Sequence, residues 1–192
     1  MFTDLFENLH FTYIFCTAVL FIAGIYFAPT IVDKNIRWML RYPRWVASLM
    51  ERYFSVRWGF FFLFLIIFIL NNMSLFLGFL SGFLIVLPLF FAFFTGFNVA
   101  VISYDLMGWK GIWHMLMNPI AWLEFPAAWL SFGMGMKIGV TILTSGNFTQ
   151  AVSLFNTLLP IYGKYVLVLL LIAALLESGL IVLAEKHKDD IS

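Results

Sequence analysis

Charge is what this sequence has least of. Only 11% of its 192 residues are charged, against roughly 25% in an average soluble domain. A soluble fold of this size has too little polar surface to hide the rest. That shortage excludes a soluble globular domain and a disordered chain. The single cysteine, Cys16, excludes a secreted disulfide scaffold and a cysteine-based metal site. A net charge of +1 argues against a nucleic-acid partner. Catalytic signatures are missing too: no H-E-x-x-H, Walker A lysine loop or G-x-S-x-G occurs. His10, His114 and His187 are scattered. No enzyme activity, metal or cofactor is expected.

What is present is apolar. Hydrophobic residues make up 63% of the chain and aromatics 20%, with 24 Phe. A membrane-crossing helix takes about 20 such residues. The sequence therefore predicts an all-α polytopic membrane protein, one membrane domain over 1–192, with five transmembrane helices. The expected spans are 11–29, 58–79, 83–104, 119–141 and 158–184. The acidic segment before the first span carries Asp4 and Glu7 and no basic residue, unlike a signal peptide, so the first span reads as retained. The long apolar run after Trp58 must turn once. A turn at Asn71–Asn72 leaves the first helix too short for a core of about 30 Å, whereas a turn near Gly78 and Gly82 gives two full spans. Residues 142–157 read as a loop, and its Asn147-Phe148-Thr149 is a glycosylation sequon.

Charge orients the five spans. Lys34, Arg37, Arg41, Arg44, Arg52, Arg57, Lys110, Lys186 and Lys188 fall on one side, which marks it as cytoplasmic. The N-terminus is then outside and the C-terminus inside. Within 31–57, the residues Arg37, Arg41, Arg44, Ser48, Glu51, Arg52 and Ser55 share one helical face. Trp38, Trp45, Val46, Leu49, Met50 and Tyr53 lie largely away from it. This is an amphipathic helix on the membrane surface, with Pro43 starting or kinking it. It serves either as an anchor in the bilayer or as a docking surface for a cytoplasmic partner.

Polar groups inside the spans are few and costly. Glu124, Glu177 and Asn98 lie about 8, 13 and 10 Å in from the cytoplasmic side by helical rise, a depth band that would let them form one cluster. Ala127, Ser131, Gly135 and Gly139 form a small-residue ridge suited to close helix packing. Glu124 lies within about 60° of each member of that face, whereas Lys137 lies about 140° from Glu124, so Lys137 is expected to snorkel to the outer interface. The carboxylates can act as a structural clamp, a proton or ion relay, or a substrate contact.

Three stretches carry a family resemblance. Asn71-Asn72 followed by Leu77-Gly78-Phe79-Leu80-Ser81-Gly82 looks like an Asn-containing helix ending in a glycine-rich turn. PIAWLEFPAAWLSFGMGMKIG, from Pro119 to Gly139, looks like a Pro-His-Gly-x-x-Glu hallmark with its small-residue helix. LIAALLESGL, from Leu171 to Leu180, looks like a closing helix with its Glu. Over about 58–184 the order resembles the stage II sporulation protein M family. The hallmark His and Gly are replaced by Ile120 and Ala121, so no role of that histidine carries over. The resemblance implies a non-catalytic membrane subunit. The namesake works with partners in peptidoglycan remodelling during spore engulfment. Small relatives occur with circular-bacteriocin genes, beside a membrane maturation protein and an ATP-binding-cassette ATPase, linked to peptide maturation, export or immunity. The partners implied are the lipid bilayer, other membrane subunits or further copies of the chain, and a cytoplasmic ATPase. The alternative is a stand-alone proton-coupled transporter using Glu124 and Glu177.

Overall fold

A computed structural model describes residues 5, 8–54 and 58–189, so Asp4, Glu7, Ser55 and Arg57 of the sequence reading lie outside the described residues. All regular structure among the described residues is helical. The helices are α1 (Phe11–Asp33), α2 (Arg37–Phe54), α3 (Phe60–Leu80), α4 (Leu87–Met107), α5 (Trp109–Met117), α6 (Ala121–Ser145), α7 (Phe148–Ile161) and α8 (Val168–Asp189). Five stretches are long and apolar enough to cross a membrane: Phe11–Asp33, Phe60–Leu84, Leu87–Met107, Ala121–Ser145 and Phe148–Ala184. The protein is a multi-pass, all-α membrane protein.

Two boundaries differ from expectation in instructive ways. The turn after α3 includes Gly82 but is completed beyond it. The chain continues through a 3₁₀ turn, Ser81–Leu84, and reverses at Ile85, whose φ of 59° is strained for a β-branched residue. The glycines also serve in packing. A Cβ on Gly82 would stand 2.3 Å from the Gly135 carbonyl oxygen, and one on Gly78 would stand 2.2 Å from the Phe132 ring.

The fifth span begins at Phe148, and 148–157 is not a loop. Gly146 takes the left-handed conformation that ends α6, with φ 61°. Asn147 caps α7 by accepting the Thr149 amide at 2.9 Å. The sequon thus doubles as a helix start. Ala151, Phe155 and Leu158 then recur at helical spacing. Ala151 and Leu158 are fully buried, and the Phe155 ring stacks on Phe79. Pro160 and a π-helical stretch, Tyr162–Leu167, lead into α8.

α6 is the central helix. Its ridge lies along α3 and the turn that follows. Ala127 is fully buried, and Ser131 donates to the Leu75 carbonyl at 2.6 Å. A Cβ on Gly135 would meet the Gly78 oxygen at 2.8 Å, and one on Gly139 the Ile85 oxygen at 2.6 Å. Thr17 of α1 donates to the Trp129 carbonyl on another side of α6, at 2.9 Å.

α1 and α4 cross with their backbones in close approach. A Cβ on Gly24 would lie 2.1 Å from the Phe93 oxygen, and one on Gly96 lies 2.1 Å from the Phe21 oxygen. Small residues permit such backbone contact where apolar lipid offers no hydrophobic drive to association.

At the end of the bundle where α4 finishes, α2 packs Leu40 against Ala28, Phe97, Ala100 and Val101. Asn35, at φ 47°, makes the turn from α1 into α2. α2 begins at Arg37 and carries Pro43 within it, so Pro43 does not start the helix. α5 folds back on α4, with Gly111 seated against the Ser103 carbonyl.

Candidate functional site

Glu124 stands in the first turn of α6. Its Oε1 accepts a 2.7 Å hydrogen bond from the Asn71 side-chain amide, in the middle of α3. Beside this pair lies a cavity of about 100 Å³ lined by Phe21, Leu75, Thr95, Val99, Phe125 and Leu170, among others. Exposed Ser74 forms part of its wall, so the cavity reaches the side of the bundle. Its walls are mostly apolar, with Asn71, Ser74, Thr95 and Glu124 the polar residues among them. Glu124 shares it with Val99, which lies eight residues before the end of α4, about 12 Å by helical rise. The N-terminus of α6 therefore starts deep within the bundle, and its dipole favours a carboxylate there.

The neighbouring Asn72 makes a second tie. Tyr162 donates its hydroxyl to Asn72 Oδ1 at 2.9 Å, across to the π-helical stretch. Adjacent amides on α3 thus bind α6 on one side and the fifth span on the other. Glu177, half-buried on α8, comes within electrostatic range of Glu124. The amide that bonds Glu124 is that of Asn71.

Asn98 is a correction to the expected cluster. Its Oδ1 is buried with no hydrogen-bond partner among the described residues. Depth alone suggested the grouping. Along α4 it is Thr95 and Val99 that line the cavity, and Asn98 is not among the residues that do so.

Arg44 is exposed on α2 and is paired. Its guanidinium makes a forked pair with Asp105, Nε to Oδ2 at 2.8 Å and Nη2 to Oδ1 at 3.0 Å, and also reaches Asn35 at 3.1 Å. Hydrogen bonding to Asp105 raises its pKa further above the ordinary value. Arg37, Arg41 and Arg52 remain exposed. Lys137 donates to the Asn8 carbonyl at the opposite end of the bundle.

Ile120 and Ala121 are buried and apolar. Ile120 and Pro119 line a groove with Leu175, Leu176, Gly179, Leu180 and Leu183 of α8. No cluster of three or more metal-ligating side chains occurs among the described residues.

No curated protein and no solved structure matches this chain. The sequence model of one family does: stage II sporulation protein M matches residues 13–180. That stretch contains Asn71, Asn72, Glu124 and Glu177, the α6 ridge and the α1–α4 crossing. A match that runs from the first span into the last is membership, and the chain belongs to the stage II sporulation protein M family.

Proposed function

We infer that the protein is a non-enzymatic subunit of a multi-protein envelope complex. It assembles with further copies of itself or with other membrane proteins, and it draws energy from a cytoplasmic ATP-binding-cassette ATPase. The settings that fit are peptide maturation, export or immunity, and cell-wall remodelling. The observation that carries this reading is how the polar side chains inside the spans are used. Asn71 holds Glu124, Tyr162 holds Asn72, Thr17 holds Trp129 and Ser131 holds Leu75. Each joins two helices of the same chain. Meanwhile α3 leaves Phe61, Phe62, Ile69, Leu70, Met73 and Leu77 exposed, an apolar flank available to a neighbour in the membrane. Affinity isolation of the tagged chain from its native membrane, with the recovered proteins identified by mass spectrometry, tests it. A stoichiometric membrane protein or ATPase is expected. Recovery of the chain alone, as a monomer, would overturn the reading.

The proton-coupled transporter stands as the second reading, because the cavity beside Glu124 opens at the side of the bundle and Glu177 is near.

In the proposed orientation the end bearing α2 and α5 faces the cytoplasm, as the positive charge directs. Reporter domains inserted at Lys34–Asn35 or fused after Ser192 should read as inside. One inserted at Gly146–Asn147 should read as outside. An inside signal at Gly146 reverses the orientation.

A further inference from the structure

The cavity beside Glu124 is reached from the side of the bundle, and its depth limits what can enter. Asn71 lies eleven residues after Phe60 and thirteen before Leu84, the ends of its span. By helical rise that is about 16 and 20 Å, the middle of an acyl layer about 30 Å thick. Ser74, three residues on, stands in an exposed stripe with Leu70, Met73 and Leu77. The mouth therefore opens on hydrocarbon rather than on water. A hydrated ion does not arrive by that route, and a phospholipid headgroup stays at the surface. What enters must itself dissolve in the acyl layer.

The walls call for two chemistries in one ligand. Most are apolar, and the rings of Phe21 and Phe125 stand 4.9 Å apart along them. The polar part has acceptors to spare. Glu124 Oε1 takes the Asn71 amide, while its Oε2 has no partner among the described residues. The Ser74 and Thr95 hydroxyls hold no hydrogen bond among the described residues either. Thr17, Ser103, Ser131 and Ser178, by contrast, each donate to a backbone carbonyl. Among the described residues no Lys, Arg or His lines the cavity. The titratable side chain that acts on Glu124 is another carboxyl, that of Glu177. A ligand that fits has several donors at one end and an apolar stem at the other.

We propose that the cavity binds a primary amine on an unbranched apolar stem, its nitrogen against Glu124 and its stem passing Ser74 into the acyl layer. An ammonium offers three N–H donors, one for each open acceptor: Glu124 Oε2, Ser74 and Thr95. Amine and carboxyl hold one proton between them and form a pair without net charge, which the acyl layer tolerates better than either ion alone. Phe21 and Phe125 suit a cation as well as a stem. A volume of about 100 Å³ takes the nitrogen and its first few carbons, and the remaining carbons lie among the lipids. Such a site needs no partner subunit, so its failure leaves the subunit reading standing.

The test titrates the detergent-purified full chain with n-hexylamine and follows its unfolding temperature. At ten times its dissociation constant the amine should raise that temperature by roughly 3–6 °C. 1-Hexanol and hexanoate, of the same length, should not. Glu124→Gln keeps the Asn71 bond and should unfold like the parent, but in it the amine loses its advantage over the alcohol. Thr95→Val removes one acceptor, keeps the volume and leaves Glu124 in place; it should weaken the amine by roughly fivefold. No shift with the amine, equal shifts with amine and alcohol, or an amine shift that survives both variants overturns the proposal. A second measurement places the ligand. An alkylamine bearing a diazirine, irradiated in reconstituted vesicles, should label Phe21, Val99, Phe125 or Leu170, and excess n-hexylamine should abolish the labelling. Label confined to Leu70, Met73 and Leu77 would mean that the amine only dissolves in the surrounding lipid, and the cavity is then not its site.

Discussion

Changing Gly24 or Gly96 to alanine should lower the unfolding temperature of the purified protein by roughly 5–10 °C, and leucine at either position should leave no monodisperse protein. The obstacle in each case is backbone. The new methyl on Gly24 would lie 2.1 Å from the Phe93 oxygen and 2.6 Å from the Phe97 nitrogen. On Gly96 it would meet the Phe21 carbonyl. A side chain in the way could swing aside, but here α1 and α4 must separate along their whole crossing. Overpacking costs about 1–3 kcal/mol, and for a chain of this length each kcal/mol moves the midpoint by about 2–4 °C. Gly163→Ala is the control, because its methyl meets nothing within 4 Å. Unfolding of Gly24→Ala and Gly96→Ala at the parent temperature would mean that the two backbones do not approach this closely.

The second large effect is expected at Glu124. Alanine there strands the Asn71 amide inside the bundle, and an unpaired buried donor costs about 1–3 kcal/mol. Glutamine keeps an oxygen where Oε1 accepts from Asn71. Glu124→Ala should therefore lose stability and partner recovery, while Glu124→Gln keeps both. The double variant Asn71→Ala/Glu124→Ala should cost less than the two single changes added together, since they remove the same bond. The transporter reading gives a different pattern. Glu124→Gln would then assemble fully but abolish proton uptake in vesicles loaded with a pH-sensitive dye, because an amide does not exchange a proton in the working range. That outcome would replace the subunit reading.

Hydropathy made the five spans legible, since each needs an unbroken apolar run. The order of small residues from Ala127 to Gly139 likewise marked the face of α6 that the structure lays along α3. Other features leave no such trace. Gly24 and Gly96 stand singly in Phe- and Ile-rich runs, and nothing in either run says that the other glycine lies opposite. The start of α7 was obscured because Gln150, Ser153, Asn156 and Thr157 lower its apolar content. Asn71 was legible as a polar residue within a span but not as the partner of Glu124. Counting depth from helix ends assumes that every span begins at the same level, and α6 begins deeper than α4 ends. The same assumption grouped Asn98 with the carboxylates. Depth says how far in a side chain lies, and only packing says which way it points.

The winding of the fifth span has one more consequence. A π-helical stretch is an α-helix with a single residue inserted, and one residue is worth about 100° of rotation. Every side chain of α8 is therefore turned by that angle relative to an unbroken α-helix with one residue fewer between Tyr162 and Leu167. The 37-residue helix from Phe148 to Ala184 carries two faces that are out of phase. One sets Ala151 and Leu158 into the core, and the other brings Glu177 round toward Glu124. Loss of one uncharged residue within the π stretch would preserve the helix and its charge, yet turn Glu177 by more than a quarter-turn relative to α7. In this protein the meeting of two acidic groups depends on a count of residues rather than on their kind.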